Sequence, residues 1–502
     1  MFGGGLRCRL IALAVMSATC LIVAIICTGL YFSFNIIKRH LVMQNIVIKP
    51  GSLSTNFLMK PTNTCLLEFW FFNVTNADQI GPLVKPKLQT IGPYVYRKHS
   101  EALNFEWSPD GQYTSLTIFM NTTYEFQGRL SVGDPENDVL FSTKIPDITV
   151  STLFEKYLRH PKIRKIIHHF LQPILKTTPH KLLWGYEDKL LKIGRRLAPE
   201  ISITSTVGLL HGKKSYIHGP YKLDTGVRDQ RKLGFLLTVE NKSELDVWSH
   251  PEANQFLGPM YAFTPPDVTV GSYRDMFAEI VCRALKFKVT DTVPHPNFEQ
   301  LKVYRMSLLP ETFHSALDYP PNRKYVLNST LGPKVLPSGV LDLSKCLAVG
   351  GLQIPIYGSL PFFRDAATEV STKVEFMSMP PSGPDIDLKI EPQTGVILEG
   401  TTRFQFSMYS KGTQNHGFFR QFPDDIFLPF AYVLNYDVSS PEELENLHYI
   451  LNFLPTVAVT LMLSLICLFL LAIIVAMVIF YRLNYQLHFS FTYLFSTLRA
   501  KN

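Results

Sequence analysis

Three short stretches of the chain contain residue types that do catalytic chemistry, and each is incomplete. Leu223-Asp-Thr-Gly226 matches the local signature of an aspartic protease, but that reaction needs two carboxylates that share a proton, and the chain has no second Asp-Thr/Ser-Gly. Gly212-Lys-Lys-Ser215 resembles the end of a phosphate-binding loop, but Val207 replaces its first glycine. His168 and His169 adjoin on a predicted helix, about 100° apart around its axis, and cannot chelate one metal together. We therefore expect no catalytic residue, no metal site and no cofactor, and predict that the protein is not an enzyme.

Another stretch suits anion binding rather than catalysis, because Pro161 can open a helix that runs to about Gln172. One face has apolar residues at the spacing of a buried stripe, namely Ile163, Ile166, Ile167, Phe170 and Leu171. The opposite face carries Lys162, Arg164, Lys165, His168 and His169. The alternative is a solvated helix face, but such faces usually mix both signs, and no acid occurs between Glu155 and Glu187. We predict that this cationic helix (residues 161–172) binds an anionic ligand.

A second helix is predicted just before the cationic helix, because the sequence there contains a helix N-terminal capping motif. Thr152-Leu-Phe-Glu155 has the spacing of a capping box, in which the hydroxyl caps a backbone N–H and the glutamate reaches back. We therefore expect a helix to start at Thr152 and to end where Pro161 interrupts it. No internal repeat, low-complexity tract or flexible linker marks a domain boundary near it.

Strand-like segments dominate the rest of the region between the chain ends. Tyr113–Asn121 is rich in β-branched and aromatic residues, and Phe404–Met408 alternates apolar with polar side chains. Glu391-Pro-Gln-Thr-Gly395 has a proline that pre-sets one turn dihedral and a glycine that accepts a positive one. It predicts a hairpin that joins a strand over 386–390 to a strand that begins at 396–398.

Two long uncharged runs indicate a membrane protein. The chain has 502 residues, of which 46% are hydrophobic and 18% charged, a balance that excludes an intrinsically disordered protein. No charged residue occurs over 10–37 or over 449–481, and both runs exceed the roughly 20 residues that cross a bilayer core. The first run is nearly twice as long as a signal-peptide core and lacks a cleavage site, so we expect an uncleaved signal anchor.

The charges that flank these runs predict the side on which each chain end lies. Three glutamates (Glu442, Glu443 and Glu445) precede the second run and Arg482 follows it, which places the C-terminus in the cytosol by the positive-inside tendency. Two helices then place the N-terminus there too. The expected organisation is a cytosolic N-terminal tail (1–9), a transmembrane helix (10–37), an extracellular or lumenal ligand-binding domain (38–448), a second transmembrane helix (449–481) and a cytosolic C-terminal tail (482–502).

Modification signals agree with this topology. Four sequons lie between the two uncharged runs, which predicts N-glycosylation at Asn73, Asn121, Asn241 and Asn328. Three of the seven cysteines, Cys65, Cys282 and Cys346, lie there too, so at most one intrachain disulfide forms and the third cysteine is a buried free thiol or an intermolecular link. Cys8, beside the first run, is a candidate for palmitoylation, with an unmodified thiol as the alternative.

Six motifs stand in order between the two uncharged runs. They are Gly92-Pro-Tyr-Val-Tyr-Arg97, Leu182-Leu-Trp-Gly-Tyr-Glu-Asp188, Thr206-Val-Gly-Leu209, Val303-Tyr-Arg305, Gly339-Val-Leu-Asp-Leu-Ser-Lys-Cys346 and Ile390-Glu-Pro-Gln-Thr-Gly395. With a membrane segment at each end, this series resembles the class B scavenger receptor family, whose members are of the fatty-acid translocase, lysosomal integral membrane protein and sensory neuron membrane protein type.

The resemblance implies an α+β protein in which two terminal transmembrane helices flank a large β-rich ectodomain with an apical helical bundle and an internal hydrophobic tunnel. The cationic helix falls where family members have their apical helices. A receptor of this type captures lipids, fatty acids or lipoprotein particles at the apex and passes lipid through the tunnel toward the membrane. Cys282 and Cys346 fall at positions like those of one family disulfide, whereas the partners for the other family disulfides are missing.

Other functions share parts of this pattern. A lysosomal trafficking receptor for a partner enzyme belongs to the same family, and a two-helix ligand-gated ion channel has the same topology but many more disulfides. An ecto-nucleotidase needs glycine-rich phosphate motifs that are absent here. The tail after Arg482 lacks an acidic dileucine signal, so we expect the plasma membrane, with the lysosomal or endosomal membrane as the alternative. We expect no nucleic-acid partner, and a homo-oligomer is compatible with the sequence.

Overall fold

The structure is a computed structural model of the chain and describes residues 2–81, 83–153, 171–197, 204–260, 263–295, 298–327, 332–333, 335–348, 353–410 and 425–499. The chain divides into two compact units. One unit contains Met1–Gln44 and Glu445–Asn502 and is helical, and the other contains Asn45–Leu444 and is rich in strands.

Within the described ranges the chain forms eight α-helices and eighteen strands, with short 3₁₀ turns between them. The helices are α1 (Phe2–Ile46), α2 (Leu53–Met59), α3 (Ile145–Leu153), α4 (Pro179–Trp184), α5 (Lys189–Leu197), α6 (Thr368–Ser371), α7 (Pro441–His448) and α8 (Leu454–Arg499). The first nine strands are β1 (Thr64–Val74), β2 (Lys87–Trp107), β3 (Ser115–Phe126), β4 (Leu140–Thr143), β5 (Ile174–Thr177), β6 (Tyr186–Glu187), β7 (Thr206–Val207), β8 (Ser215–Asp224) and β9 (Leu236–Val239). The other nine are β10 (Tyr273–Ala278), β11 (Arg283–His295), β12 (Phe298–Leu308), β13 (Val340–Asp342), β14 (Ile356–Ser359), β15 (Glu375–Phe376), β16 (Ile386–Ile390), β17 (Ile397–Ser410) and β18 (Ile426–Val438).

The two terminal helices, α1 and α8, are long and apolar enough to cross a membrane. Large apolar side chains point outward from both of them, and Phe32 and Tyr481 are more than 70% exposed. A soluble unit would bury such side chains, whereas lipid solvates them. The Lys38 ammonium donates a hydrogen bond of 2.9 Å to the Leu451 carbonyl between the two apolar segments.

One large sheet organises the strand-rich unit. Fourteen of the described strands belong to it, in the order β10-β11-β12-β16-β17-β18-β1-β2-β3-β8-β9 along its main path. The pairs along that path are antiparallel, and β14 adds to β17, β13 to β14 and β15 to β2. β1 is central, since Phe69 faces Val433 of β18 on one side and Tyr94 of β2 on the other.

The main hydrophobic core joins this sheet to the helices between 145 and 184. Phe71 and Phe72 of β1 are fully buried, and each such phenylalanine contributes roughly 1.5–3 kcal/mol of transfer free energy. The same core contains Ile148 of α3 and Leu183 of α4, both of them fully buried. The short helices are therefore held by tertiary packing, because isolated helices of this length are unstable in water.

The predicted α+β class with two terminal apolar helices is confirmed, and so are the strand predictions. The segment predicted as a strand over 113–121 lies mostly in β3, and the segment 404–408 lies in β17. The predicted hairpin is β16 followed by β17, and its turn is closed by Glu391, whose carboxylate accepts the N–H groups of Gln393 and Thr394.

The helix start predicted at Thr152 is wrong. α3 begins seven residues earlier, at Ile145, and Thr152 lies in its last described turn. The Thr152 hydroxyl donates 2.8 Å back to the Ile148 carbonyl, which is the bond of a threonine inside a helix rather than at its N-terminus. The buried side chain of Ile148 explains the earlier start, because packing against the core stabilises a turn that the local sequence does not signal.

Candidate functional site

The structure describes the residues on either side of the predicted cationic helix, but not most of that helix itself. Lys162, Arg164, Lys165, His168 and His169 all lie outside the described residues, as do Ile163, Ile166, Ile167 and Phe170. On either side of this segment, β4 pairs with β5, and the Lys144 N–H donates 2.8 Å to the Pro173 carbonyl. The chain at Lys144 and the chain at Pro173 therefore meet at one place. Leu171 and Gln172 are not helical, and Leu171 is buried in the main core as the apolar stripe predicted.

A buried ion cluster fixes this meeting point. The Lys144 ammonium lies 2.8 Å from Asp147 Oδ1 and 3.2 Å from Asp188 Oδ2, and both carboxylates are almost completely buried. Asp147 Oδ2 accepts the Gln172 N–H at 2.6 Å. Asp147 thus connects the chain before the cationic helix with Gln172, the last residue of the predicted helix.

Asp188 extends the cluster to a second helix. Its Oδ1 accepts the N–H groups of Leu190 and Leu191 at 2.9 and 3.1 Å, which satisfies the first turn of α5. Most of the exposed side chains of α5 are cationic, Arg195 and Arg196 among them, and Ile193 is exposed beside them. α5 therefore adds positive charge shortly after the cationic helix in the sequence.

Burial shifts the pKa values in this cluster. Burial raises the pKa of Asp147 to about 6, although the Gln172 N–H and the Lys144 ammonium act in the opposite direction. Burial alone would lower the pKa of Lys144, but its hydrogen bond to Asp147 and the charges of both carboxylates outweigh burial and raise it. Lys144 is therefore a permanent cation between two carboxylates, of which Asp147 titrates near mildly acidic pH.

Two of the sequence motifs dock this region onto the sheet. The Tyr186–Glu187 strand of one motif pairs with the Thr206–Val207 strand of the other. Gly185 has a φ of +117°, and a Cβ there would approach His211 Nδ1 to 2.8 Å. Glycine is needed at this position because the backbone is both left-handed and in close contact. The two motifs therefore form one structural unit.

Aromatic side chains complete the docking. Trp184 packs edge-on against Tyr96 of β2 with ring centroids 5.5 Å apart, and its Nε1 donates 3.3 Å to the Tyr96 hydroxyl. Tyr94 of the same strand donates 2.7 Å to Asp138 in the loop before β4. The motif that contains Tyr94 and Tyr96 thus positions the base of the helical region rather than a reacting group.

The motif with a protease-like signature also has a structural role. Asp224 Oδ1 accepts the Gly226 N–H at 2.9 Å, and the Thr225 hydroxyl donates to the Tyr113 carbonyl at 2.5 Å. Asp224 thus closes an ordinary Asx turn, and Thr225 ties that turn to the segment before β3. Across the ranges that the structure describes, no group of three His, Cys, Asp or Glu side chains is placed to hold a metal ion.

The cysteines take the states that the sequence allowed. Cys282 and Cys346 form the disulfide that the resemblance implies, with their Cα atoms 5.8 Å apart. Cys65 is a buried free thiol on β1, its Sγ lies 3.3 Å from Asn435 Oδ1, and burial raises its pKa to about 12. Cys65 is thus protonated and unreactive. Cys8 is exposed, and its palmitoylation stays a prediction.

Glycan is expected at Asn73, Asn121, Asn241 and Asn328, and the described sequons differ in accessibility. Asn241 is exposed at a tight turn after β9, whereas Asn121 Nδ2 donates 3.0 Å to Glu101 and Asn73 Oδ1 accepts the Phe141 N–H. Changing all four asparagines to glutamine should remove the endoglycosidase-sensitive part of the apparent mass of the full-length protein. An unchanged digestion pattern would contradict the predicted topology.

The sequence analysis did not identify Lys144, Asp147 or Asp188 as a cluster. Lys144 and Asp147 have the i, i+3 spacing of a helical ion pair, which is a weak signal. Asp188 stands at the end of the Leu-Leu-Trp-Gly-Tyr-Glu-Asp motif, just before a helix, where an N-cap is expected. No local pattern indicates that Asp147 and Asp188, which are 41 positions apart, come together at Lys144.

The chain is similar to one family of known proteins over most of its length. Residues 15–480 match the model of the CD36 family. Lysosome membrane protein 2 from Homo sapiens is 28% identical over 371 residues, which is 73% of this chain and 74% of that protein. Scavenger receptor class B member 1 from Sus scrofa is 24% identical over 462 residues, 91% of this chain and 86% of that protein. The similarity extends across the whole strand-rich unit and into both terminal helices.

Proposed function

This chain belongs to the CD36 family, and from that premise we propose that it is a membrane receptor that captures anionic lipid or lipoprotein-type ligands at its cationic helix. Capture needs no covalent chemistry, so the receptor is proposed to act without catalysis. The similarity to one relative, scavenger receptor class B member 1, supports the receptor class. The proposed topology has both chain ends in the cytosol and the strand-rich unit outside or in the lumen.

One observation carries the proposed site. The segment between Glu155 and Glu187 contains no acid, and the chain that precedes it is joined to residues within it by the Lys144 N–H bond to Pro173 and by the Asp147 bond to Gln172. Cations concentrated in one segment raise the local concentration of an anionic particle. The exposed Arg195 and Arg196 of α5 add to the same field.

Transfer of the captured lipid is the second part of the proposal. The resemblance to class B scavenger receptors implies a tunnel through the strand-rich unit, which would lead an acyl chain toward the bilayer. Burial of each CH₂ away from water is worth about 0.8 kcal/mol, so a tunnel that shields the acyl chain from water can compete with the particle for each methylene. The sequence of events is then capture by charge, followed by partition of the apolar chain.

Charge reversal tests the capture site. Lys162→Glu, Arg164→Glu and Lys165→Glu together should weaken binding of phosphatidylserine vesicles to the full-length receptor at least tenfold. Binding by the wild type should fall as salt rises past about 0.1 M, where the screening length is about 10 Å. It should strengthen from about pH 7 to about pH 5.5, since imidazoles such as those of His168 and His169 gain charge in that window.

A matched control separates this site from net charge. Lys222, Lys288 and Lys302 are exposed on strands of the sheet, and reversing all three changes the net charge by the same amount. That variant should bind vesicles within about twofold of the wild type, as expected for distributed surface charges. Equal binding by the charge-reversed helix and the wild type at low salt would show that the cationic face is only solvated. Ile166→Asp with Ile167→Asp should instead reduce expression, because it breaks the apolar stripe.

A further inference from the structure

A small cavity lies beside the Cys282–Cys346 disulfide of the strand-rich unit. The residues that line it are distant in sequence from the cationic helix. It has a volume of about 50 Å³, enough for a small polyatomic ion or a few waters. Its lining combines polar and apolar groups, among them Arg283, Thr312, His314, Tyr325, Leu341 and Asp342. A cavity of this composition would fill with a polar occupant rather than stay empty.

Arg283 is the notable group in this lining. It follows Cys282 at the start of β11 and is only 5% exposed. Its Nη2 donates 2.6 Å to the Thr312 carbonyl, and its guanidinium lies 4.3 Å from the centroid of the Tyr325 ring. Its Nε has no hydrogen-bond partner. A guanidinium has five N–H groups, so most of its donor capacity is unused.

No carboxylate among the described residues forms an ion pair with Arg283. Burial lowers the pKa of Arg283 to about 10, which still leaves it charged at neutral pH. Buried charges are normally paired, because an uncompensated charge in a protein interior costs several kcal/mol. One backbone carbonyl and one aromatic ring do not supply a counter-charge.

Asp342 supplies the one carboxylate in the lining, and its described contacts are with residues other than Arg283. Its Oδ1 accepts the Ser344 N–H at 2.8 Å, and on β13 it pairs with Tyr357 of β14. Burial raises the pKa of Asp342. Among the described ion pairs none joins Asp342 to Arg283, so the two side chains are not in direct contact as a pair.

The surrounding residues hold the guanidinium in place. Trp248 stacks edge-on against Tyr325 at 5.3 Å, and its Nε1 donates 2.7 Å to the Cys282 carbonyl. Asn322 donates to the carbonyls of Glu311 and His314 at 2.8 and 2.7 Å, which fixes the turn that carries Thr312. The cation is thus positioned by a rigid shell, as in preorganised binding sites.

We propose that the Arg283 cavity is a binding site for an oxyanion, either a carboxylate or a phosphate group. The planar guanidinium matches the two oxygens of either group and would donate from Nε and a neighbouring nitrogen. Thr312 and His314 line the same space, and residues of these types can donate hydrogen bonds to the remaining oxygens. This site is independent of the cationic helix and of the capture function proposed for it.

Thermal unfolding of the full-length protein in a neutral detergent tests the proposal. Inorganic phosphate, added at constant ionic strength against chloride, should raise the melting temperature of the wild type in a saturable manner. Arg283→Met should lose this response, with at least tenfold weaker phosphate binding. Without phosphate, Arg283→Met should melt at or above the wild-type temperature, because it removes an uncompensated buried charge.

Arg274→Met is the matched control. Arg274 lies on the neighbouring strand β10, is half-buried, also has an Nε without a partner and does not line the cavity. It should keep the full phosphate response. If Arg283→Met fails to fold, Arg283→Lys keeps the charge but lacks the planar fork, and its phosphate affinity should fall at least fivefold.

A second ligand distinguishes the source of the oxyanion. Laurate that competes with phosphate would identify the head group of an amphiphile, and phosphate binding without such competition would identify a free inorganic anion. Either result supports the site. The absence of a saturable shift with both ligands, or an equal shift in the wild type and Arg283→Met, would overturn it.

Discussion

Replacing Lys144 with methionine is expected to lower the free energy of unfolding of the strand-rich unit by about 3–5 kcal/mol at neutral pH. The change leaves Asp147 and Asp188 buried without the ammonium that lies 2.8 and 3.2 Å from them. Breaking a buried ion cluster from one side costs more than the cluster contributes as a whole, because the remaining charges stay out of water. Thermal or denaturant unfolding of the full-length variant measures the loss.

The pH dependence of this loss has a defined sign. Burial raises the pKa of Asp147 to about 6 in the folded protein, above its ordinary value of 3.8, so the folded state holds this proton more tightly than the unfolded state. Through Asp147 alone, stability therefore rises as the pH falls from about 6 toward about 4. Lys144 lowers the pKa of Asp147, so without Lys144 the Asp147 carboxylate is even easier to protonate. The deficit of Lys144→Met should accordingly shrink on acidification.

Asp147→Asn is the control for this prediction. Its amide oxygen can still accept the Gln172 N–H, and Lys144 keeps Asp188 as its counter-ion. We expect a cost of about 1 kcal/mol, close to that of one weakened hydrogen bond. A cost as large as that of Lys144→Met, or a Lys144→Met deficit that grows as the pH falls, would contradict a role for Lys144 as the cation of the cluster.

Removing the disulfide is expected to cost about 4 kcal/mol by the chain-entropy relation, since Cys282 and Cys346 close a loop of 64 residues. The change to be tested is Cys282→Ala with Cys346→Ala in the full-length protein, measured by unfolding under non-reducing conditions. The Cys282 carbonyl accepts the Trp248 indole N–H, so tryptophan fluorescence should report local loosening as well. Peptide mapping of the wild type should recover the two cysteines as one linked peptide pair.

Cys65→Ala is the matched control, because Cys65 is buried but not linked. It loses one hydrogen bond to Asn435 and a small volume, for which we expect about 1 kcal/mol. Free thiols at both Cys282 and Cys346, or a double variant no less stable than Cys65→Ala, would disprove a structural disulfide.

Local sequence patterns were sufficient to predict the elements that local interactions stabilise. The apolar runs became α1 and α8, because a bilayer-length run without charge leaves few other folds. The β16–β17 hairpin followed from its proline and glycine turn, and its Glu391 carboxylate closes the turn within three residues. The same reasoning failed at Thr152, where the buried Ile148 draws the start of α3 to Ile145.

Period-two alternation predicted the strand over 404–408 but not its burial. The polar positions of that strand would face solvent in a one-layer sheet, yet Gln405 is fully buried. Its side chain accepts the Phe362 N–H at 2.8 Å and donates to the Ser359 hydroxyl, both from a distant segment. Alternation of polar and apolar residues therefore predicts that a segment is a strand. Whether its polar side chains are buried depends on which other segments pack over them.

The amino-acid sequence by itself determined the family resemblance, the two apolar terminal helices, the strand-rich unit and the acid-free cationic segment, because each depends on composition, spacing or short motifs. Only the tertiary structure decided that Lys144 joins Asp147 to Asp188 and that Arg283 faces a cavity without a counter-charge. The physical reason is burial. A charged side chain destabilises the fold, and needs a counter-ion, only after distant segments have excluded water from it. No local sequence pattern indicates which segments those are.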